Sequence, residues 1–327
     1  MPALPDFLVI SPRTVADAVA AQREHRSARY LAGGTDVLTA MRRGLTETDA
    51  VIDLAGIEEL NGIRVGGDIL HLGAAATLEQ IEADPLVLRH ARVLAAAAHG
   101  VAAPAHRAVA TLGGNLCLDT RCIYFNQSEW WRAAIGHCMK LKGSVCRVAP
   151  TGDRCHAAYS GDMAPALLVL GASVAVAGAA GRREMPLAEL YRDDGRAHLA
   201  LGREELIVSV GVPIAAETRA DYAKARMRGA IDFPLAGVAV ALRRKGDLLT
   251  ALRVALTGTN SRPFVLAGTD ELLGRKPDDA TARHLDKLVQ KQVSPMRTTL
   301  APAHYRRRVA AVAACRLFRE LFESAPG

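Results

Sequence analysis

The chain has 327 residues, of which 50% are hydrophobic and 4% aromatic, and its net charge is +7 at pH 7. This length and composition predict a globular protein of two or three domains and argue against intrinsic disorder. No run of about 18 apolar residues occurs, so no membrane span is predicted. The sequence has no zinc-finger, homeodomain or RNP pattern, which argues against nucleic-acid binding.

The N-terminal segment, residues 1–14, lacks the basic flank and long apolar core of a signal peptide. A cytoplasmic location is therefore expected, where thiols stay reduced and clustered cysteines bind metal more often than they form disulfides. The densest basic run, Arg306-Arg307-Arg308, is expected to form a solvated face of a C-terminal helix.

Hydrophobic periodicity and turn residues predict alternating helices and strands in the first hundred residues. Thr14 is the expected cap of the first helix, and Gly66-Gly67-Asp68 the turn of a hairpin. Helices are predicted at 14–24, 35–43, 78–82 and 86–98, and strands at 29–31, 51–54, 63–65 and 69–72.

In the second half of the chain, the sequence predicts a helix, two strands, three further strands of which the last two form a meander, and two closing helices. The polar stretch after Pro213 marks a boundary, which divides the chain into domains 1–217 and 218–327. In the last helix, Tyr305, Val309 and Val312 form an apolar stripe, with Cys315 expected as a buried small residue at its edge. Helices are predicted at 164–170, 280–292 and 302–322, and strands at 173–177, 205–212, 221–228, 235–242 and 248–257.

Two glycine loops share one pattern, Tyr30-Leu31-Ala32-Gly33-Gly34-Thr35-Asp36 and Ala110-Thr111-Leu112-Gly113-Gly114-Asn115-Leu116. Paired glycines let a backbone approach a ligand closely, and successive N–H groups in such turns can bind an anion. Neither loop matches G-x-G-x-x-G, so a Rossmann dinucleotide fold is disfavoured.

Taken in order with later motifs, the loops resemble the flavin-binding subunit or domain of the xanthine oxidase family of molybdenum hydroxylases, which includes carbon monoxide dehydrogenase. The segment 159–167 resembles the family's Ser-Asp segment, 205–213 its next strand, and 222–233 its lysine region. These ordered motifs cover about residues 5 to 260.

The resemblance implies an α+β fold of the CO dehydrogenase medium-subunit (PCMH) type. It has an FAD-binding domain of two α/β subdomains and a C-terminal antiparallel sheet with helices. The resemblance also implies bound FAD, with its pyrophosphate on the two glycine loops. Asp162 could instead cap the following helix, and Lys224 could be a solvated strand residue. The implied FAD contacts are Arg29, Tyr30, Leu31, Ala32, Gly33, Gly34, Thr35, Asp36, Thr111, Leu112, Gly113, Gly114, Asn115, Asp162, Ile207 and Lys224.

Between the second glycine loop and the Ser-Asp segment lies an insertion at about 118–158 that contains four of the six cysteines. These are Cys122, Cys138, Cys146 and Cys155, and their spacing, C-x15-C-x7-C-x8-C, lacks the C-x2-C knuckle of common zinc sites. Four widely spaced thiolates suit a 4Fe–4S cluster. Nearby aromatic residues, Trp130 and Trp131 among them, are expected to shield it.

Cys117 precedes the insertion and is left out of this ligand set. A flavin subunit with such an insertion resembles, within the family, the beta subunit of 4-hydroxybenzoyl-CoA reductase. That resemblance implies electron relay from reduced ferredoxin through 4Fe–4S and FAD. The electrons would continue toward a 2Fe–2S subunit and a molybdenum-cofactor subunit, where the substrate is dehydroxylated to benzoyl-CoA. The whole assembly would be a dimer of heterotrimers.

Two alternatives stay open. The chain could be the FAD subunit of another molybdenum hydroxylase, similar to xanthine or CO dehydrogenase, because the substrate would sit on a different subunit. It could also be a non-enzymatic scaffold whose insertion binds zinc. No catalytic residue is predicted in the chain itself, since no Ser-His-Asp or paired-carboxylate pattern stands out.

Overall fold

The computed structural model describes residues 4–297 and 301–324, and the N-terminal part is a small βαβ unit. Its elements are β1 (Leu8–Ile10), α1 (Val15–Glu24), β2 (Arg29–Leu31), α2 (Val37–Arg42) and β3 (Ala50–Asp53). The three strands form a parallel sheet in the order β1-β3-β2. As predicted, Thr14 caps α1, because its hydroxyl accepts a hydrogen bond from the Asp17 N–H at 3.1 Å.

A second, five-stranded antiparallel sheet follows, with the order β4-β5-β8-β6-β7. Its strands and the helices between them are β4 (Ile63–Gly66), β5 (Ile69–Gly73), α3 (Leu78–Ala83), α4 (Pro85–His90), α5 (Arg92–His99), α6 (Pro104–Arg107), α7 (Leu112–Leu116), α8 (Glu129–Ala134), α9 (Met163–Val169), β6 (Ser173–Gly178), β7 (Gly181–Pro186) and β8 (Leu206–Pro213). Strands β5, β6 and β8 pack on α3, α5 and α9 in one apolar core.

The single helix predicted at 86–98 is two helices. Asp84 caps α4 by accepting from the N–H groups of Leu86 and Val87, and Pro85 occupies its first turn. The backbone then leaves helical geometry at Ala91, with φ −151° and ψ 49°. An alanine-rich sequence has high helix propensity throughout, so periodicity alone did not reveal the break.

The C-terminal part contains a four-stranded antiparallel sheet in the order β12-β11-β10-β9. Its elements are β9 (Arg219–Ala225), β10 (Ala236–Lys245), β11 (Leu248–Thr257), β12 (Phe264–Val265), α10 (Asp279–Gln292) and α11 (Ala303–Glu323). The meander turn at 245–247 is as predicted, and α10 and α11 cover one face of the sheet. The mixture of sheets and helices agrees with the predicted α+β class. Short 3-10 helices lie at Glu58–Leu60, Leu187–Leu190 and Thr269–Leu272.

The predicted face of α11 is wrong. Tyr305 and Val312 are about half exposed, at 47% and 50%, whereas Ala310, Ala314 and Phe318 are fully buried. Arg306, expected in solvent, is also buried, and its guanidinium donates to the carbonyls of Leu235, Met296 and Gly258. Burial lowers the pKa of Arg306 to about 10. Small alanine side chains let α11 approach the sheet closely. The buried face of the helix is therefore the alanine-rich one, which lies one position along the chain from the stripe of larger side chains.

Cys315 is half-buried and donates a weak hydrogen bond to the Ala282 carbonyl at 3.4 Å. Within the described residues, none of the helices has the length and apolar character needed to cross a bilayer.

Candidate functional site

The two glycine loops lie against each other, and Gly33 is at the contact. A Cβ built on Gly33 would lie 1.9 Å from the carbonyl oxygen of Val109 and 2.6 Å from the carbonyl carbon. Only a residue without a side chain permits this approach of two backbones. Gly34 has a φ of +69°, in the left-handed region that favours glycine. Geometry therefore explains both glycines of the first loop.

A cavity of about 1040 Å³ opens where the loops meet. This volume is at the upper end of the range for small-molecule sites, about 300–1,000 Å³. Leu31 and Leu112 lie outside the lining, and Leu112 is fully buried in the core. The other predicted contacts line the cavity: Arg29, Tyr30, Ala32, Gly33, Gly34, Thr35, Asp36, Thr111, Gly113, Gly114, Asn115, Asp162, Ile207 and Lys224.

The first loop has the open N–H groups that an anion needs. In the part of the chain that the structure describes, the N–H groups of Gly33, Gly34 and Thr35 donate to no acceptor. Gly33 and Gly34 are half-buried and Thr35 is exposed, so these N–H groups are free to donate to a phosphate oxygen. This loop therefore fits a diphosphate.

The second loop differs from the first, because its N–H groups are already used. Thr111 caps α7 by accepting from the Gly114 N–H at 3.1 Å, and the Gly113 N–H donates to the Ala74 carbonyl at 2.8 Å. The Asn115 side chain accepts from the Met163 N–H at 3.0 Å, which ties α7 to α9. The expected N–H concavity is thus absent here among the described residues. The loop offers a Cβ-free surface at Gly114 instead.

Asp162 and Lys224 form a buried ion pair at the cavity wall. The Lys224 ammonium donates to Asp162 Oδ2 at 3.0 Å, and the Tyr222 hydroxyl donates to Oδ1 at 2.6 Å. Both ionic side chains are about 5% exposed or less. Burial raises the pKa of Asp162, while Lys224 and Tyr222 favour its charged form. Asp162 makes no side-chain cap to α9, and Lys224 is not solvated, so neither alternative role holds.

Arg121 is a site residue that sequence reasoning missed. Its guanidinium forms an ion pair with Asp36 of the first loop and lies 5.8 Å from the centre of the Phe233 ring. All three residues line the cavity. The carboxylate of Asp36 is therefore neutralised by the protein. Only the position of Arg121 at the start of the insertion could have drawn attention to it.

The insertion forms one side of the cavity, where Phe125 and Leu141 contribute to the lining. It is fastened to the end of α2, because Arg43 donates to the Asn126 carbonyl at 2.7 Å and Arg132 donates to the Gly44 carbonyl at 2.8 Å. The cavity and the insertion that carries the cysteines therefore share a wall.

The four predicted ligand cysteines are free thiols, of which Cys138, Cys146 and Cys155 are buried and Cys122 is half-buried. Cys122 lies near enough to Cys138 and Cys146 for their charges to raise its pKa, although burial is the larger cause. Burial also raises the pKa of Cys155 to about 11, and the charges of Cys146 and Cys122 add to the effect. Cys117 has no such coupling to the other thiols, and burial alone raises its pKa to about 12.

Within residues 4–297 and 301–324, no three His, Cys, Asp or Glu side chains are arranged to hold a metal ion. The predicted aromatic shield is wrong for Trp130, which is 79% exposed at the start of α8, whereas Phe125 is buried. Tyr124 and Trp131 contact each other, with ring centres 6.3 Å apart. The cluster assignment stays a prediction.

A second residue missed by sequence reasoning is His198, in the segment 192–199 that contacts the insertion. The Lys140 ammonium, itself 6% exposed, donates to Asp119 Oδ1 at 2.8 Å and to the Gly195 carbonyl at 2.8 Å. These bonds fix the segment against the insertion. His198 is 6% exposed, lines the cavity, and its Nε2 has no hydrogen-bond partner among the described residues.

The burial of His198 predicts that the free energy of unfolding depends on pH. Burial lowers its pKa from 6.5 to about 4, so between these values the unfolded chain binds a proton that the folded chain excludes. The free energy of unfolding should therefore fall as the pH drops from 6.5 to 4, by on the order of 3 kcal/mol from this group. Nearby Asp119 opposes the pKa shift and Lys140 adds to it.

Urea unfolding of the wild type and His198→Phe at pH 7 and pH 4.5 isolates this contribution, because other groups titrate alike in both proteins. We expect the variant to lose less stability on acidification. Equal losses in the two proteins would contradict the assignment of a neutral buried imidazole.

The family comparisons agree with the geometry. Residues 5–215 match the family described as the FAD binding domain in molybdopterin dehydrogenase, and residues 220–321 match the CO dehydrogenase flavoprotein C-terminal domain. The chain is 31% identical to the aldehyde oxidoreductase FAD-binding subunit PaoB of Escherichia coli K12, over 80% of this chain and 84% of that protein. It is 29% identical to the carbon monoxide dehydrogenase medium chain of Hydrogenophaga pseudoflava, over 83% of this chain and 81% of that one.

Solved structures show the same fold. The reconstituted CO dehydrogenase from Oligotropha carboxidovorans contains a chain that superposes with a TM-score of 0.82 and 22% identity, covering 99% of this chain and 100% of that one. Quinoline 2-oxidoreductase from Pseudomonas putida 86 gives a TM-score of 0.79, with 98% of each chain covered. The predicted medium-subunit fold, with its C-terminal antiparallel sheet and helices, is confirmed.

Proposed function

This chain belongs to the family of FAD-binding subunits of the molybdenum hydroxylases, and we propose that it holds one FAD across its two glycine loops and relays electrons. The observation that carries this proposal is the single cavity that both loops line together with Asp162, Ile207 and Lys224. When bound, FAD supplies one- and two-electron redox chemistry, and the protein supplies position and electrostatics. We also propose that residues 1–217 form the FAD-binding domain and residues 218–327 a C-terminal sheet-plus-helices domain, which contributes Lys224 to the cavity.

The residues present fit the dinucleotide. The unpaired N–H groups of Gly33, Gly34 and Thr35 suit its diphosphate, and Gly114 leaves open space for its approach. The cavity carries an excess of cationic side chains, including Arg29, Arg43 and Arg192, which favours an anionic ligand.

We further propose that the insertion holds a 4Fe–4S cluster through Cys122, Cys138, Cys146 and Cys155. Supporting this are the burial of Cys138, Cys146 and Cys155, the neighbouring cysteine charges that help raise the pKa of Cys122 and Cys155, and the wall that the insertion shares with the cavity. Buried thiols with raised pKa become thiolates when a cationic centre compensates their charge. An iron–sulfur centre would meet that requirement.

A flavin subunit with such a cluster would serve a 4-hydroxybenzoyl-CoA reductase, as the beta-type subunit. In this proposal a molybdenum-cofactor subunit and a 2Fe–2S subunit complete a cytoplasmic dimer of heterotrimers, and ferredoxin is the electron donor. The net charge of +7 favours association with an acidic carrier. The alternative is the FAD subunit of a molybdenum hydroxylase with a different substrate. Reduction of 4-hydroxybenzoyl-CoA by the assembled complex separates the two.

Anaerobic purification with a visible spectrum and iron, zinc and flavin analysis tests the cofactor content. We expect a coloured protein with one FAD and four iron atoms per chain, as a 4Fe–4S cluster requires. A yellow, iron-free protein would remove the cluster and leave the flavin proposal standing. A colourless protein containing zinc would favour the scaffold alternative and overturn both redox proposals.

Replacing Cys138 with serine should remove the cluster while FAD stays bound, because the cysteine is buried in the insertion and lies outside the cavity lining. Iron analysis and the low-temperature electron paramagnetic resonance signal of the reduced protein measure the loss. Cys117→Ser is the matched control, since Cys117 precedes the insertion and is not coupled to the four thiols. Full iron in Cys138→Ser, or loss of iron in Cys117→Ser, would contradict the ligand assignment.

A further inference from the structure

Lys140 is a buried cation inside the cysteine insertion. Its side chain is 6% exposed, and its ammonium donates to Asp119 Oδ1 at 2.8 Å, to Thr120 Oγ1 at 2.6 Å and to the Gly195 carbonyl at 2.8 Å. The ammonium also lies 4.9 Å from the centre of the Phe125 ring. Removing an ammonium from water is costly, so its charge needs compensation from its surroundings.

The hydrogen-bond partners of Lys140 balance its charge only in part. Asp119 is the one acid paired with this ammonium among the described residues, and its side chain is 41% exposed. Water therefore screens the carboxylate more strongly than the lysine. Thr120 and Gly195 contribute neutral oxygens. The buried side of this group keeps a positive potential, which favours a negatively charged group beside it.

The contacts of Lys140 place it among the proposed ligand cysteines. It belongs to the turn that follows Cys138 and leads to Cys146, and a backbone hydrogen bond of 3.0 Å to the Cys138 carbonyl closes this turn. The Gly195 carbonyl accepts from Lys140, and the Gly195 N–H donates to the Cys155 carbonyl at 2.8 Å. Lys140 therefore joins the turn between two of the cysteines to the segment that carries a third.

The charge of Lys140 also acts on one of these thiols. Burial raises the pKa of Cys155, and the charge of Lys140 acts in the opposite direction, toward the thiolate. A cluster held by four thiolates is a negatively charged group, whose potential depends on nearby charges, hydrogen bonds and exposure to water. The buried ammonium is therefore placed to compensate that charge.

We propose that Lys140 tunes the electron-transfer centre of the insertion, because its fixed positive charge favours the reduced cluster and so raises the reduction potential. This inference rests on the proposed 4Fe–4S cluster. In each reduction, the ferredoxin-type carrier of the proposed function loses one electron and the cluster gains it, with one added negative charge. No bond forms or breaks at Lys140, which acts as a positioning residue and through its field.

The midpoint potential of the cluster tests this role, measured by redox titration of the anaerobically purified full-length chain and followed by electron paramagnetic resonance. Lys140→Met removes the charge and keeps the length of the side chain. It should make reduction less favourable by about tenfold, which is a fall of about 59 mV for a one-electron couple. Lys142→Met is the matched control, because it removes a charge from the same turn at a side chain that is 49% exposed. Its reduction equilibrium should change by less than about twofold.

A second variant, Asp119→Asn, keeps the test decisive if Lys140→Met fails to retain iron. The amide keeps Oδ1 as an acceptor for the ammonium and removes the opposing negative charge. The potential of this variant should therefore rise, in the direction opposite to that of Lys140→Met. A lysine that only holds the backbone in place would not produce shifts of opposite sign.

Wild-type protein without iron would overturn the proposed cluster, and the role of Lys140 with it. Wild-type protein with a complete cluster, together with an unchanged potential in Asp119→Asn, would overturn only the role of Lys140. Equal shifts in Lys140→Met and Lys142→Met would also overturn it, because the effect would then not depend on a buried charge.

Discussion

Replacing Gly33 with valine should abolish FAD binding, with an affinity loss of at least about a hundredfold. A Cβ at this position would lie 1.9 Å from the Val109 carbonyl oxygen, and the opposing atom is backbone, which cannot rotate away. The loops would separate, and the open N–H groups would lose their place in the cavity. FAD content after purification and titration of the apoprotein measure the effect.

The control for this prediction is Gly229→Val, because a Cβ on exposed Gly229 would meet nothing within 4 Å. A second variant guards against misfolding of Gly33→Val. A Cβ on Gly114 would meet only the Thr111 hydroxyl within 4 Å, so Gly114→Val fills ligand space while the two loops stay in contact. Circular dichroism verifies folding. Normal FAD content in both Gly33→Val and Gly114→Val would refute the assigned site.

Replacing Lys224 with methionine should lower the free energy of unfolding by about 3–5 kcal/mol, because it leaves the Asp162 carboxylate buried without its counter-ion. Both side chains are nearly inaccessible, and the carboxylate would keep the Tyr222 hydroxyl as its hydrogen-bond donor and the charge of Arg226. Chemical unfolding of the apoprotein measures this loss without a contribution from flavin.

A control variant, a double variant and a pH series test whether the loss of stability comes from the buried ion pair. The exposed pair of Lys276 and Asp247, 3.9 Å apart, is the matched control, and Lys276→Met should cost less than about 1 kcal/mol. The double variant Lys224→Met with Asp162→Asn should cost less than the sum of its parts. Because burial raises the pKa of Asp162, the penalty should grow as the pH rises and the carboxyl loses its proton. A pH-independent, additive loss would contradict a buried ion pair.

The glycine loops show what a local sequence pattern can and cannot predict. Both carry paired glycines, which precede α2 in the first loop and lie inside α7 in the second, and the sequence predicted an N–H concavity in each. The structure gives open N–H groups only to the first loop, because Thr111 and the Ala74 carbonyl use those of the second. Thr111 is a local helix cap, whereas the Ala74 carbonyl is distant in sequence and no local pattern reports it.

The last helix illustrates the same limit for packing. Periodicity correctly indicated a helix at the C-terminal end of the chain, but the stripe of large side chains was not the buried face of that helix. The alanine-rich face is buried, since small residues allow close approach, and Arg306 is drawn in by three backbone carbonyls. Hydrophobicity alone cannot predict a buried arginine whose hydrogen bonds are all supplied by loops.

By itself, the sequence determined the α+β class, the order of most helices and strands, and the family, because these depend on local periodicity and on motifs in a fixed order. Only the tertiary structure decided that the two loops share one cavity, that Asp162 pairs with Lys224, and that Arg121 and His198 reach the same wall. The Asp162–Lys224 and Asp36–Arg121 pairs join residues 62 and 85 positions apart along the chain. They depend on how sheets and helices pack, and periodicity records only which face of each element is apolar.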